Sequence, residues 1–474
     1  MNRNTSQTKI VATIGPASSS FEILEQLFLE GIDVCRLNFS HGKQEDHLKV
    51  INNILVLNNK LGTNVAILAD LQGPKIRIGE IENNLVQLLP GNEILFVNEP
   101  CLGTAEKLYI SYKEFPQDVN IGDYILLDDG KIKLEVLNTN RKDTVRTRII
   151  YGGSLSSKKG VNLPNTKISM PSLTEKDIAD AVFALQNNVD WIALSFVRNA
   201  ADLIPLKNLI KQHQKNTSII AKIEKPEALS DLDNIIEISD AIMVARGDLG
   251  VEVPFDQVPL IQKDLVSRCI AKAKPVIIAT QMLESMISNF RPTRAEANDV
   301  ANAVFDGADA LMLSAETSVG KFPVEAVNAM QRIITWSEKG FHYNREIVPT
   351  TGTRTFLPDS ICLNSSRIAG HTNAQAIVTF TYSGYTAYKI SSFRPKATVY
   401  AFSRNPELLR KLSLVWGVKA FYFEDHESID DAIDYSIEVL KSAALLNDND
   451  VVVHVGSTPF EERGQTNMIK VSYV

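Results

Sequence analysis

The sequence predicts an α/β protein built on a (β/α)8 barrel, with an inserted small all-β lid domain and a C-terminal open-sheet α/β domain. Short β-branched runs alternate with amphipathic helical stretches on both sides of a central segment, which predicts the barrel. The central segment instead alternates with period two between turn signals, and a second βα series follows the barrel. We therefore expect the barrel at residues 1–73 and 170–339, the lid at 74–169, and a third domain, a candidate for regulation, at 340–474.

Eight strand-like runs, each followed by a helical pattern, have the repeat number and the size of a TIM barrel, which typically needs about 250 residues. The predicted barrel strands are 9–15, 32–39, 65–70, 189–196, 218–224, 241–247, 274–280 and 308–314. The predicted strands of the third domain are 376–381, 397–402, 418–423, 451–455 and 469–474.

The inserted segment carries turn signals at 90–91, 128–130 and 152–153, which are typical of antiparallel strands. It follows the third barrel strand, so it must lie over the C-terminal face of the barrel, where such barrels place their active sites. We therefore expect it to close over that face as a lid.

The charge is mildly negative: 49 Lys and Arg stand against 56 Asp and Glu, a formal net charge of −7 over 474 residues. Without long basic blocks, nucleic acid and anionic lipid are not expected partners. The longest apolar runs, such as 191–197, are far shorter than the roughly 20 residues of a membrane span. The polar N-terminus does not resemble a secretory signal, so a cytoplasmic location is expected.

Four cysteines are far apart along the chain and lack the spacing of a metal site. We expect free, buried thiols at Cys35, Cys101, Cys269 and Cys362.

Polar residues stand at the C-terminal ends of the predicted strands, where a barrel enzyme would place its chemistry. They are Arg36, Asn38, Ser40, Asp70, Ser195, Lys222, Glu224, Arg246, Asp248, Thr280, Ser314 and Glu316, with Gly247 between Arg246 and Asp248. Side chains two apart on a strand point to the same face, so Lys222 and Glu224 both project inward at the barrel rim.

Glu224 and Asp248 supply two carboxylates from neighbouring strands, which are ligands suited to Mg²⁺ or Mn²⁺. A salt bridge between Lys222 and Glu224, with Asp248 capping the next helix, is an alternative that these residues alone leave open. Arg36, Arg77, Lys159 and Lys222 add positive charge around the same mouth, and arginine forks match phosphate oxygens. The residues by themselves therefore predict a phosphorylated substrate and a divalent metal.

Six ordered segments carry a resemblance to a known family. They are CRLNFSHG at 35–42, KKGVNLP at 158–164, IAKIE at 220–224, VARGDLG at 244–250, ATQMLESM at 279–286 and MLSAET at 312–317. On these motifs the chain resembles pyruvate kinase from end to end. The resemblance implies transfer of the phosphoryl group of phosphoenolpyruvate to ADP, giving pyruvate and ATP, with Mg²⁺ or Mn²⁺ as the cofactor.

The resemblance also implies residue roles, with Lys222, Arg36 and Thr280 as catalytic residues and Lys222 on the migrating phosphoryl group. The residues implied in substrate binding are Arg36, Lys222, Gly247, Asp248, Thr280 and Ser195. Those implied in nucleotide binding are Arg77, Lys159, Asn38 and His41, and Glu224 and Asp248 would hold the divalent metal. For His41, a helix-cap role is the alternative.

Two other functions remain to be weighed against this one. The barrel could belong to a metal-dependent phosphoenolpyruvate or pyruvate aldolase or lyase, although Lys222 and the lid motif argue against that reading. The chain could also be a catalytically inactive metabolite sensor, although none of the expected catalytic and metal residues is missing.

One segment departs from the family pattern. Where most relatives read DTKGPEIR, this chain reads DLQGPKIR at 70–77. In the usual version the oxygens at the positions of Asn38, Ser40, Asp70 and Leu71 hold K⁺ beside the phosphate site. In the usual version the Lys and Glu of DTKGPEIR and the K⁺ ion contribute +1, −1 and +1, a total of +1. Here Gln72 is neutral and Lys75 contributes +1, so the same total charge is reached without a bound ion. We therefore predict that the Lys75 ammonium replaces the monovalent cation and that K⁺ is not required.

The third domain is less informative. The loop 381–386 joins a strand to a helix start and could bind an anion or be a plain cap. In the loop 456–464, Glu461 and Glu462 would repel a bisphosphate, so the effector stays open. The resemblance implies a homotetramer.

Overall fold

The computed structural model describes residues 6–164, 166–424, 428–458 and 465–474. Within them, eight parallel strands close into a barrel in which each strand pairs with the next along the chain and the eighth pairs with the first. The strands are Lys9–Ile14, Val34–Asn38, Ala66–Asp70, Trp191–Leu194, Ser218–Ile223, Ala241–Ala245, Val276–Ala279 and Ala310–Leu313. The predicted barrel is confirmed.

Helices surround the barrel and bury their apolar faces against its outer wall. The longer ones are Phe21–Glu30, Gln44–Leu61, Glu175–Gln186, Ile204–Gln212, Leu232–Ile238, Val258–Ala271, Arg294–Asp306 and Pro323–Ser337. Their ends follow from local chemistry: Thr293 caps Arg294–Asp306 in a capping box with Glu296, and Gly307 ends it at a φ of 93°. Shorter helices Pro226–Ser230, Arg246–Glu252 and Ala315–Ser318 follow the fifth, sixth and eighth strands.

The inward-facing side chains change from apolar to polar towards the C-terminal ends of several strands. Trp191 and Ala193 belong to the apolar cluster inside the barrel, and Ser195 is the next inward residue in the alternation. In the same way Ile220 is followed inward by Lys222. The lower layers are thus a packed core, and they support a polar layer at the C-terminal rim.

The inserted segment is all-β apart from the short helices Phe115–Asp118 and Glu82–Asn84, as predicted. Its strands are Leu85–Leu88, Glu93–Val97, Lys107–Tyr109, Tyr124–Leu127, Ile132–Thr139, Thr144–Tyr151, Gly153–Ser156 and Val161–Asn162. They form a six-stranded and a two-stranded sheet around a separate hydrophobic cluster. A hydrogen bond of 2.6 Å from Arg198 Nη1 to the Ile168 carbonyl ties the end of this segment to the barrel.

Four aspartates form a repeated feature at the N-terminal end of the barrel. Asp33, Asp190, Asp240 and Asp309 immediately precede the even-numbered strands. Each carboxylate accepts a backbone N–H from the preceding strand, at 2.8–3.1 Å, and each aspartate N–H donates to the carbonyl of that same residue. These four contacts hold neighbouring strands together where the ladder begins.

The C-terminal segment forms an open sheet in the order Val418–Tyr422, Thr398–Ser403, Ala376–Phe380, Val451–Gly456 and Met468–Tyr473, the last strand antiparallel. Its helices are Phe356–Thr372, Tyr385–Ser392, Pro406–Leu412 and Ile429–Ser442. It docks on the aspartate end of the barrel: Arg394 pairs with Asp309 at 2.9 Å and Arg410 pairs with Asp190 at 2.8 Å. The third domain's α/β architecture was predicted correctly.

The remaining sequence predictions have mixed outcomes. All four thiols are unpaired, but Cys101 is half-buried, so the expectation of burial was wrong for that residue. Glu461 and Glu462 lie outside the described residues. No helix in the described ranges is long and apolar enough to cross a membrane.

Candidate active site

Lys222 lies at the centre of the polar layer. It projects inward from the fifth strand, is 9% exposed, and donates to Ser195 Oγ at 2.8 Å. Its ammonium also lies 3.2 Å from Asp70 Oδ1 and 2.9 Å from Glu224 Oε1. Burial alone would lower the pKa of Lys222, but the two carboxylates outweigh it and raise the pKa, so the ammonium is held charged.

Asp70 joins the two principal cations of the site. Its Oδ2 accepts from Arg36 Nε at 2.7 Å while Oδ1 faces Lys222. Burial would raise the pKa of Asp70, but Lys222 and Arg36 together lower it below its usual value. Arg36 Nη1 also donates to Thr13 Oγ1 at 2.9 Å. The carboxylate thus holds two positive charges side by side at the barrel mouth, the arrangement needed to bind a phosphate.

Ser195 orients Lys222 rather than facing the site freely. Its hydroxyl accepts from the ammonium and donates to the Leu71 carbonyl at 2.8 Å. Ser195 is 2% exposed, so this chain of hydrogen bonds is shielded from water.

Glu224 and Asp248 are the two carboxylates predicted to hold a metal. Glu224 Oε2 accepts from the Phe196 N–H at 2.8 Å. Burial raises the pKa of Glu224, Lys222 lowers it, and the negative charge of Asp248 raises it further. Two negative charges that raise each other's proton affinity favour the binding of a divalent cation, and Asp248 also lines the cleft.

The donor set fits a divalent ion that is only partly held by protein. In the parts of the chain that the structure describes, no group of three or more His, Cys, Asp or Glu side chains converges on one point. Water and substrate oxygens would have to complete the shell, as Mg²⁺ commonly allows. Of the alternative to a metal site, the salt bridge between Lys222 and Glu224 is confirmed. The helix-cap role of Asp248 is wrong, because the cap position of Arg246–Glu252 is Ala245.

Thr280 and Gly247 are bonded to each other. Gly247 is one of the residues that the resemblance implied in substrate binding. Its N–H donates to Thr280 Oγ1 at 2.7 Å, and that hydroxyl donates to the Ala279 carbonyl at 2.5 Å. A Cβ at position 247 would stand 3.2 Å from Thr280 Oγ1, so glycine permits this approach.

A cleft separates the lid segment from this polar layer. It encloses about 540 Å³ of space open to solvent, and its walls include Lys75 and Asp129 on the lid side and Phe196, Lys225 and Asp248 on the barrel side. A substrate entering the cleft would therefore meet both the predicted metal carboxylate and the lid.

The predicted nucleotide residues are separate from the Lys222 cluster. Lys159 pairs with Asp128 of the lid at 2.7 Å, and Arg77 Nη1 donates to the Lys158 carbonyl at 3.0 Å. Asn38 Oδ1 accepts from the Ser40 N–H at 3.1 Å. Their side chains are already engaged with lid or loop atoms, and a bound nucleotide would have to exchange those contacts.

His41 is exposed, and its carbonyl oxygen is bonded to the His47 ring at 3.0 Å. The helix-cap alternative for His41 is wrong, because Lys43 occupies the cap position of Gln44–Leu61. Partial burial lowers the pKa of His41, and the positive charges of Arg77, Lys75 and Arg36 lower it further. The corner around His41 is therefore electropositive.

Lys75 does not contact the oxygens predicted to form its pocket. It is exposed, and its ammonium makes no hydrogen bond or ion pair within the described ranges, 6–164, 166–424, 428–458 and 465–474. Asp70 is instead paired with Arg36 and Lys222, and Leu71 is buried. The ammonium of Lys75 acts on this corner through its charge, not through a direct contact.

Comparison with known proteins decides the family. The family model "Pyruvate kinase, barrel domain" matches residues 5–327, and "Pyruvate kinase, alpha/beta domain" matches residues 359–472. The chain belongs to the pyruvate kinase family. It is therefore a phosphotransferase, which argues against both the aldolase and the sensor alternatives, and pyruvate kinases generally use a divalent metal.

Named pyruvate kinases are similar over nearly the whole chain. Those of Bacillus licheniformis and Geobacillus stearothermophilus are each 43% identical to it, over 99% of this chain and 80% of theirs. A crystal structure of a pyruvate kinase from Cryptosporidium parvum is similar with a TM-score of 0.93 at 36% identity, covering 99% of this chain and 96% of that one.

The structure shows a cluster that sequence reasoning missed. Glu252, 6% exposed, accepts from Asn162 Nδ2 at 2.9 Å and pairs with Lys225 at 2.6 Å. Asn162 belongs to the lid motif, Lys225 follows Glu224, and Glu252 ends the helix that carries Asp248. The only sequence signal was the nearness of Lys225 and Glu252 to residues already singled out.

Proposed function

We propose that this enzyme transfers the phosphoryl group of phosphoenolpyruvate to ADP, giving pyruvate and ATP in the last step of glycolysis. The observation that carries the proposal is the buried Lys222 ammonium, held between Asp70 and Glu224 at the rim of a barrel whose relatives are named pyruvate kinases. Phosphoryl transfer needs positioning and charge stabilisation more than covalent help from protein.

Lys222 and Arg36 would stabilise the negative charge of the phosphoryl group as it migrates. Lys222 would act in the transition state, because its charge is fixed by neighbours and costs no reorganisation during transfer. Glu224 and Asp248 would hold Mg²⁺ or Mn²⁺, which when bound supplies charge neutralisation for substrate oxygens. Ser195 would keep the Lys222 ammonium in place.

Thr280 and Gly247 would act on the other end of the substrate. The Gly247 N–H would bind the carboxylate after giving up its bond to Thr280. The released Thr280 hydroxyl would then help to orient the group that protonates C3 of the enolate. Arg77, Lys159, Asn38 and His41 would bind the nucleotide as the lid closes.

We also propose that the enzyme is independent of K⁺ because Lys75 supplies the missing positive charge. The charge of Lys75 acts on His41 together with those of Arg77 and Arg36, which supports a shared electropositive corner. Its exposed, flexible stem would let the ammonium approach Asp70 or the substrate when the lid moves.

The test is a coupled assay of pyruvate formation from phosphoenolpyruvate and ADP at constant ionic strength, in K⁺ and in a tetraalkylammonium salt. Equal kcat/KM in both salts is expected. Activation by K⁺ of more than about tenfold, worth about 1.4 kcal/mol, would refute K⁺ independence. Phosphoenolpyruvate consumed without ATP formation would indicate a lyase, and binding without turnover a sensor.

The proposal includes a cytoplasmic homotetramer with the boundaries 1–73 and 170–339, 74–169, and 340–474. Sedimentation of the full chain tests the assembly. An effector site near 381–386, where Gly384 N–H donates to Thr381 Oγ1 and the helix Tyr385–Ser392 begins, is left without an assigned ligand.

A further inference from the structure

We propose that Arg246 is a positioning residue that holds Thr280 in a strained backbone conformation required for turnover. The inference rests on the proposed role of Thr280 in protonating the enolate. Arg246 lies at the start of the helix after the sixth strand, and Thr280 follows the end of the seventh strand.

The turn that carries Thr280 is strained. Thr280 has a φ of 70° and Gln281 a φ of 53°, so two successive residues with side chains adopt the left-handed conformation. This conformation is uncommon outside glycine and is a genuine outlier for a β-branched residue. Such backbone persists only where the surroundings hold it in place, and it clusters at functional sites.

The guanidinium of Arg246 spans this turn. Its Nη2 donates to the Thr280 carbonyl at 2.7 Å, and lies 3.4 Å from the Gln281 carbonyl and 2.8 Å from Met282 Sδ. Its Nη1 donates to Asp299 Oδ1 at 2.8 Å, which fixes the plane of the group. The side chain is 12% exposed, so water competes little for these contacts.

The next residue holds the other end of Thr280. The Gly247 N–H donates to Thr280 Oγ1, so before substrate binds, residues 246 and 247 together fix both the carbonyl and the hydroxyl of Thr280. When the Gly247 N–H turns to the substrate carboxylate, the bond from Arg246 to the Thr280 carbonyl is the contact that remains. Asp248, the proposed metal ligand, is the following residue on the same helix. The segment 246–248 therefore sets the position of Thr280 relative to the metal carboxylate.

This arrangement predicts a particular kinetic signature. Arg246 is not among the residues that line the cleft, and within the described part of the chain its hydrogen bonds and its ion pair go to groups outside the Lys222 cluster, so its loss should leave phosphoenolpyruvate binding largely intact. The orientation of Thr280 would be lost, and with it the rate of the protonation step. An effect on kcat rather than on KM is expected.

The experiment is a double-mutant cycle of Arg246→Met and Thr280→Ala, with Arg268→Met as a matched arginine control on the outer surface of the barrel. Arg246→Met should lower kcat at least about tenfold and change KM for phosphoenolpyruvate by less than about threefold. In the Thr280→Ala background, Arg246→Met should lower kcat by less than about threefold, because the Thr280 hydroxyl that Arg246 positions is already absent.

A second readout separates positioning from general loosening. This readout is the exchange of the methyl protons of pyruvate with D₂O in the presence of Mg²⁺ and inorganic phosphate, monitored by NMR. The exchange removes a proton from C3 and returns a deuteron to it. Arg246→Met and Thr280→Ala should slow this exchange by similar factors while Mn²⁺ affinity is unchanged. Should Arg246→Met not fold, Arg246→Lys takes its place, since one ammonium cannot span the three acceptors of the turn.

The outcomes are distinguishable. Multiplicative losses of kcat in the double variant, or exchange unaffected by the Arg246 substitution, would overturn the positioning role while leaving the proposed function intact. Wild-type kcat and exchange in Thr280→Ala would overturn both the assigned role of Thr280 and this inference. Absence of pyruvate formation by the wild-type enzyme would instead refute the proposed function.

Discussion

The ammonium of Lys222 lies 2.9 Å from the carboxylate of Glu224, two residues further along the chain. Both groups are buried, and each shifts the pKa of the other. Glu224 helps to raise the pKa of Lys222, and Lys222 opposes the rise that burial causes in the pKa of Glu224. In the proposed mechanism the pair would therefore supply a fixed cation for the phosphoryl group and a carboxylate for the metal at the end of one strand.

Lys222→Met should lower kcat by on the order of 10²- to 10³-fold, the usual cost of removing one preorganised electrostatic group. KM should change less, because charge develops on the phosphoryl group mainly in the transition state. Steady-state kinetics measures this, with Lys211→Met on an exposed helix surface as the control. A folded Lys222→Met enzyme with near-wild-type kcat would rule out the assignment.

Glu224→Gln and Asp248→Asn should each raise the Mg²⁺ concentration for half-maximal activity by about tenfold or more, because each removes half of the protein's carboxylate ligands. Removal of divalent metal with EDTA should abolish activity, and Mn²⁺ should restore it. Asp256→Asn, an exposed carboxylate just beyond the same helix, is the control. Unchanged metal dependence in both site variants would remove the metal from this site.

Lys75→Glu should lower activity in the absence of K⁺ and make it partly recoverable by adding K⁺, because it replaces the ammonium with the charge found in most relatives. Two unit charges about 4 Å apart interact by about 4 kcal/mol at an effective dielectric of 20, and solvent around Lys75 reduces this. Recovery of activity by K⁺ should be incomplete if K⁺ binding needs a hydroxyl ligand at the position of Leu71.

The matched control is Lys142→Glu, on an exposed hairpin of the lid. The comparison is kcat/KM in K⁺ and in a tetraalkylammonium salt for both variants. Equal activity of Lys75→Glu and wild type without K⁺ would show that Lys75 points only into solvent.

The protein should lose stability below about pH 6.5 because of His454. This residue is fully buried on the strand Val451–Gly456, and neither ring nitrogen has a hydrogen-bond partner within the described residues. Burial, aided by the charge of Lys470, lowers the pKa of His454 to about 4. The unfolded chain therefore binds the proton first, and the loss grows as the pH falls from about 6.5 to about 4, reaching roughly 3 kcal/mol.

His454→Leu should flatten this part of the pH dependence, since the apolar side chain has nothing to protonate. Thermal midpoints at pH 7.5 and pH 5 measure the effect, with His213→Leu at an exposed histidine as the control. If the difference between the two midpoints is the same in His454→Leu as in wild type, His454 is not the group responsible.

Much of the site could be predicted from the chain because the period-two alternation of a strand is local. Placing Arg36, Ser195, Lys222 and Glu224 at inward positions near strand ends was enough to bring them to one rim. The sequence also carries a signal for the aspartates before the even-numbered strands, because each of them precedes an apolar run. These aspartates are Asp33, Asp190, Asp240 and Asp309, and their repeated position was not used to predict the contacts between strands.

Other contacts could not be predicted, because they join side chains from elements far apart in sequence. Asp70 was expected in a cation pocket with Lys75, yet it bridges Arg36 and Lys222. Which carboxylate meets which cation depends on side-chain rotamers and on burial, and neither follows from periodicity.

By itself the sequence determined the barrel, the lid, the open C-terminal sheet and the set of charged residues at the rim, because hydrophobic periodicity and strand polarity are properties of short segments. Only the tertiary structure decided that Arg246 spans the strained turn at Thr280, 34 residues away, and that Glu252 joins Asn162 of the lid to Lys225. Packing brings those groups within hydrogen-bond distance, and their low exposure to water strengthens each bond.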